Sequence, residues 1–205
     1  MAAKGGSKHK YTDRIYIEAA QMRVKNRDFF HLKNLYITLH EWLCEEGWIP
    51  ENGKDINFPE IYYLHRDHPK TGTEVWLFWR PEKEINSYYK YRLDIDWHCI
   101  LIREAEVMHE GQKFKTNWGE VEIKIWAREE LDYSWTWRNH WFLKHIHDLF
   151  RRRIFKTSTE VHKLELYREA YRFHEAIKTY LKLKTYLPEP ELQEFFPQLG
   201  LGTPK

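Results

Sequence analysis

YYKYRLDIDWHCILIREAEVM, residues 88–108, is the stretch that decides the fold. Tyr89, Tyr91, Leu93, Ile95 and Trp97 fall on one face of an extended chain, and Lys90, Arg92, Asp94, Asp96 and His98 fall on the other. Side chains alternate across a strand with period two, so the pattern describes a long strand with one buried and one polar face. Such a strand needs neighbours and a covering layer, and the flanking sequence offers both.

Upstream, IYYLHR at 61–66 and EVWLFWR at 74–80 are joined through HPKTG, which reads as a hairpin. Downstream, a tight turn at Glu110-Gly111 and the punctuation NWG at 117–119 lead into a return strand, EVEIKIWARE, with Val121, Ile123, Ile125 and Ala127 inward. RIYIEAAQMRV at 14–24 alternates Ile15, Ile17 and Ala19 with Tyr16, Glu18 and Ala20 and reads as a further strand, although its EAAQM centre also suits a helix. Phe29, Leu32, Leu35, Tyr36, Leu39, Trp42 and Leu43 recur at helical spacing between Asp28 as N-cap and Gly47 as stop, predicting a helix over 28–46. Residues 50–59 read as a loop. Helical spacing returns at Trp141, Ile146, Leu149 and Phe150 for a helix over 138–155. It returns again at Val161, Leu164, Tyr167, Ala170, Tyr171, Ala176, Ile177 and Leu181 for one over 159–182, capped by Thr157 or Ser158. The expected fold is α+β: an antiparallel meander of about five strands, packed by one N-terminal amphipathic helix and two C-terminal helices. Residues 1–12 read as a flexible basic arm, 13–187 as a single domain, and 188–205 as an acidic tail containing proline.

Composition agrees with a packed domain. Of 205 residues, 42% are apolar and 17% aromatic, with ten Trp, thirteen Tyr and eleven Phe against only nine Gly and eight Pro. Disordered and collagen-like chains are excluded by those values. Charge is nearly balanced, +2 with a pI near 8.4, so no global field draws the protein to polyanions. Two segments are basic nonetheless: residues 1–27 and 136–158 each carry a net +5. Cys44 and Cys99 stand far apart without a CxxC, which fits a reducing compartment. With no apolar leader and no run of 18 apolar residues, a cytoplasmic protein without a transmembrane segment is expected.

Candidate chemistry is sparse. Asp94, Asp96 and His98 line up on one strand face about 6–7 Å apart. With Glu120 or Glu122 across from them they form a candidate divalent-cation site, and hence a metal-dependent enzyme as a third reading. Against it, Arg92 and Lys124 share those faces and favour cross-strand ion pairs. His40-Glu41-Trp42-Leu43-Cys44 approaches HExxH but ends in Cys, and a zinc site needs further ligands. His145 and His147 are two apart on a helix and diverge. Phosphate-binding loops, dinucleotide fingerprints and nucleophile elbows are absent from the sequence, so a non-enzymatic protein without a cofactor is expected.

Surfaces offer more. EVWLFWR is apolar on both faces and asks for cover on each. Trp76, Trp79, Trp126, Trp135, Trp137, Phe195 and Phe196 are therefore candidate interface residues, Trp and Tyr being favoured where proteins meet. Lys4, Lys8, Lys10, Lys144, Arg151, Arg152 and Arg153 are candidates for an anionic partner. The leading expectation is a structural or interaction protein that binds itself or another protein through aromatic surfaces. The alternative is an RNA- or DNA-binding or ribosome-associated factor. A membrane-surface role for the basic helix ranks lower, because its apolar side is assigned to covering the sheet.

Overall fold

A computed structural model describes residues 14–48, 60–109 and 112–183. Its elements run β1 (Ile15–Phe30), α1 (Leu32–Glu45), β2 (Glu60–His68), β3 (Gly72–Trp79), β4 (Glu82–Glu84), β5 (Tyr89–His109), β6 (Gln112–Leu131), α2 (Thr136–Asn139), α3 (Leu143–Leu149), a π-helical turn Phe150–Ile154, and α4 (Lys156–Tyr180). The strands form one antiparallel sheet in the order β1-β6-β5-β3-β2, with the short β4 pairing alongside β5. This is the α+β fold that the alternation predicts, with β4 as an added strand.

The face carrying Tyr91, Leu93, Ile95, Trp97 and Cys99 of β5 is buried together with Val75, Leu77 and Trp79 of β3 and Val121, Ile123, Ile125 and Ala127 of β6. α1 and α4 cover it, α1 through Leu35, Leu39 and Leu43, spaced four apart on one stripe. Trp48, Trp79, Trp97 and Phe173 complete this core.

Two bulges explain where strict alternation fails. In β5 the pairing slips between Ile100 and Arg103, with Leu101 at φ 60°, so the inward set passes from Cys99 to Ile102. In β1 it slips between Glu18 and Ala20, moving the inward set from Ile17 to Ala20, Met22 and Val24. That slip is why this run reads ambiguously. NWG at 117–119 does not interrupt β6, contrary to expectation. Trp118 and Gly119 lie opposite the β5 bulge, and a Cβ on Gly119 would stand 2.5 Å from Ile102 Cδ1.

The helices depart further from the sequence reading. β1 continues through Phe30, so Asp28 is not a cap; it bonds the Phe29 amide, and His31 Nδ1 accepts from the Asn34 amide to cap α1. Gly47, at φ 73°, ends α1 as expected, with Trp48 N donating to Leu43 O. The helix expected over 138–155 is broken. Asp132 caps α2 by accepting from Trp137 N and Arg138 N, and His140 Nδ1 accepts from Phe142 N and Leu143 N to start α3. α4 begins at Lys156, which places Thr157 and Ser158 inside it. Its core stripe is Leu166, Ala170, Phe173 and Ile177. Val161, Leu164, Tyr167 and Tyr171, expected to pack, are exposed. No described helix is long and apolar enough to cross a membrane.

Candidate functional site

The second face of the sheet has no covering layer among the described residues, and the aspartate–histidine set lies there. Arg80 holds both carboxylates, 3.3 Å from Asp94 and 2.7 Å from Asp96, and Arg128 also bonds Asp94. His98 bonds Glu74 at 3.2 Å and stacks on Trp76 at 3.7 Å. Glu122, opposite His98, pairs with Arg23 and Lys124; burial raises its pKa, but the two cations outweigh that and hold it below the usual carboxylate range. The negative charge a metal would need is thus already spent on guanidinium and ammonium groups. Among the described residues no three His, Cys, Asp or Glu side chains are grouped to hold a metal. His40 and Cys44 are 3.9 Å apart, and burial together with Glu41 and Glu45 pushes the Cys44 thiol up, away from reactive thiolate.

Aromatic rings share this face. Tyr62 stacks on Phe78 at 5.0 Å, Phe78 meets Trp76 edge-on, and Trp126 of β6 pairs across the strands with Asp94 of β5. Trp76 and Trp126 are half-buried and reachable. Trp79 is not. It is wholly in the core, edge-on to Tyr36 and 4.9 Å from Trp97, with its indole N–H donating to Glu60, so its candidacy as an interface residue is corrected. The reason is register: Val75, Leu77 and Trp79 pair with Cys99, Trp97 and Ile95 on the covered face. Trp137 packs beside Tyr88, Phe150 and Phe155, and Trp135 lies under the Arg138 guanidinium. Phe195, Phe196, Lys4, Lys8 and Lys10 lie outside the described residues.

The basic segment is more open than its sequence implies. Lys144, Arg152 and Arg153 are exposed, while Arg151 pairs with Asp148. Among the described residues, eight of the fourteen exposed large apolar side chains fall between Trp141 and Tyr171, which moves the apolar surface from sheet to helices. The stretch YSWTWRNHW at 133–141 is open to such a reading, but beyond Trp141 the periodic apolar residues of these helices read as core, which hides the rest of the surface.

A cavity of about 500 Å³ opens between the start of α1 and strands β2, β3 and β5, walled by Tyr36, Val75, Leu77 and Ile102 with Lys33 and Glu104 among its polar lining. Inside the core, Tyr91 donates to Glu165 and lies 3.0 Å from His162, and Tyr89 meets Thr159 at 3.1 Å. Glu129 is fully buried, and neither of its carboxylate oxygens has a hydrogen-bond partner. Burial, with Glu160 nearby, pushes it up to about 8 against the opposing pull of Lys163.

No protein-family model and no curated protein matches the chain. Two solved structures share distant likeness. One is an uncharacterised protein from Rhizobium leguminosarum, at 7% identity over 83% of this chain and 99% of that one, TM-score 0.20. The other is norcoclaurine synthase from Thalictrum flavum, at 10% identity over 90% and 98%, TM-score 0.19. At those scores neither likeness bears on what this chain does.

Proposed function

We propose that the protein is a non-enzymatic interaction protein that self-associates, and that the outer stripe of α4 is the surface it uses. The observation that carries this reading is a helix with two apolar faces. Leu166, Ala170, Phe173 and Ile177 are consumed by the core, while Val161, Leu164, Tyr167 and Tyr171, spaced 3, 3 and 4 apart, remain exposed on another face. Tyr167 and Tyr171 stack on each other at 6.2 Å.

A second copy of α4 fits this stripe by charge. In an antiparallel pair with its two-fold axis at Leu164, each residue faces the one equally far on the other side. Val161 then meets Tyr167 of the other copy, and Glu160 meets Arg168. Both Glu160 and Arg168 are exposed and have no ion-pair partner among the described residues. The aromatic row Tyr62, Phe78, Trp76 on the bare sheet face, with Trp126 beside it, is the further surface for a larger assembly.

Mass photometry and light scattering over a concentration series test the reading. A dimer that Leu164→Arg converts to monomer is the expected result. A wild-type chain that stays monomeric at the highest concentrations reached defeats it. The competing nucleic-acid reading rests on Lys144, Arg152, Arg153 and exposed Trp141. It leaves unexplained why Phe142, Leu149 and Ile154 are exposed beside them, since phosphate contact needs cations and stacking rings rather than aliphatic surface.

A further inference from the structure

That mixture of cations and apolar side chains is the signature of a different partner. Between His140 and Lys156, Trp141 is 77% exposed, Phe142 50%, Leu149 54% and Ile154 59%. The same stretch carries Lys144, Arg151, Arg152, Arg153 and Lys156 against Asp148, a net +4. Asp148 is already engaged by Arg151, and Lys144, Arg152, Arg153 and Lys156 are exposed without acidic partners among the described residues. α3 is held to the protein through its inner side, where His147 is buried and bonds the Tyr88 hydroxyl at 2.8 Å. Its outer side is free. Exposed Leu149 leads directly into the π-helical turn that carries exposed Arg152 and Arg153, so an aliphatic group sits beside a pair of free cations. Trp141 and Phe142, their rings 5.7 Å apart, stand at one end of the segment and Ile154 at the other.

We propose that residues 140–156 seat the protein on an anionic lipid bilayer surface. Trp and Phe at one end, Leu149 in the middle and Ile154 at the far end enter the headgroup–acyl boundary, a depth of about 5–10 Å for interfacial helices. The exposed Lys and Arg meet the negative headgroups around them, and Trp141 takes the position indole rings favour at that boundary. Nothing is inserted across the membrane; the segment lies on it. The surface is separate from the α4 stripe, so this inference stands whether or not the chain self-associates.

The test uses the full chain in vesicle co-flotation. One set of vesicles is phosphatidylcholine alone, and the other contains about 30 mol % phosphatidylglycerol. The expected result is flotation with the anionic vesicles at least about tenfold tighter than with the neutral ones. Arg152→Gln with Arg153→Gln halves the net charge of the segment and weakens the preference for anionic vesicles, and Leu149→Ser with Ile154→Ser weakens binding about tenfold or more on the same vesicles. All four side chains are on the surface; circular dichroism verifies that the variants are folded, and Ile37→Ser, at an exposed apolar position on α1, retains binding. Three results overturn the inference: no flotation with either vesicle, equal flotation of Leu149→Ser/Ile154→Ser and wild type, or tighter binding of a single-stranded oligoribonucleotide than of anionic vesicles. The last two outcomes identify the segment as a phosphate-binding surface.

Discussion

Glu129 pairs across the strands with Tyr91 on the covered face of the sheet, beneath α4, and the carboxylate of Glu129 has no hydrogen bond. Beside it are Tyr91 from β5 and Ile17 from β1, with Glu165 and His162 engaged by the Tyr91 hydroxyl, while Glu160 and Lys163 of α4 act on it at a distance through their charges. Such a group is more stable as the neutral acid. In the folded chain it titrates at about 8, against 4.5 for an ordinary glutamate. Below pH 4.5 it is protonated in both states and costs nothing. Between 4.5 and 8 the fold keeps a proton that the unfolded chain has released, so stability falls as pH rises, with a slope approaching about 1.4 kcal/mol per pH unit. Above 8 the loss is complete. Urea unfolding from pH 5 to 9 reads this directly, and Glu129→Gln should flatten the slope and stabilise the protein at pH 8. An unchanged slope in the variant would place the titration elsewhere.

Gly119 and Ile102 form a second close relationship. A Cβ at Gly119 would lie 2.5 Å from Ile102 Cδ1 and 3.1 Å from the Ile100 carbonyl oxygen. The Ile102 methyl ends a flexible side chain that borders the cavity beside α1 and can swing aside, but the Ile100 carbonyl oxygen and Ile102 Cα, both 3.1 Å from that Cβ, are backbone and hold their places. Gly119→Ala should cost about 1–3 kcal/mol. Ile102→Val deletes the clashing methyl, so the double variant should lose less than the sum of the singles. Strict additivity in thermal unfolding would show that the bulge yields in some other way.

The same bulge marks a limit of what alternation reveals. From Tyr89 to Cys99 every second residue faces the core, and that much is plain in the sequence. The passage to Ile102 depends on one residue at positive φ, Leu101, which no periodicity announces. Strand β3 is ambiguous for another reason. Val75, Leu77 and Trp79 are as apolar as Trp76 and Phe78, and only pairing with β5 decides which set is inside. α4 fails similarly: Val161, Leu164 and Tyr167 satisfy helical spacing as well as Leu166, Ala170 and Phe173 do, and phase is set by packing on the sheet. The break before α3 is owed to Asp132 and His140 bonding backbone amides a few residues on, local choices that hydrophobic pattern does not encode. Of the candidate site, the opposite charges on the bare face were legible, and the guanidinium that neutralises Asp94 and Asp96 came instead from Arg80, just beyond β3.

α1 and α4 close with the same backbone motif but different residues. Gly47 stands at φ 73° after α1, and Lys182 at φ 52° after α4, where Leu183 N donates to Lys178 O. A Cβ on Gly47 would meet nothing within 4 Å, so Gly47→Ala costs only the left-handed backbone, about 1 kcal/mol. Lys182 is exposed, and Lys182→Gly should return about the same amount. Chemical denaturation of the two variants should therefore move in opposite directions by similar shifts. A destabilised Lys182→Gly would mean that its side chain makes a contact worth more than the strain.

The α4 pairing makes a sharper demand than oligomeric state alone. About a two-fold axis at Leu164, Glu160 and Arg168 meet twice in each dimer, and both are exposed in the single chain. Glu160→Arg sets two arginines against each other at both contacts, and Arg168→Glu does the same with two glutamates. Each single reversal should raise the dimer dissociation constant about tenfold, since exposed pairs contribute up to about 1 kcal/mol each and like charges cost a similar amount. The double reversal restores opposite charges and should recover most of the loss. The difference between singles and double should shrink in high salt, while the part owed to Val161, Leu164 and Tyr167 should persist. Sedimentation velocity on the four proteins at two salt concentrations measures all of this. A double variant no tighter than either single would break the two-fold geometry, whatever the oligomeric state.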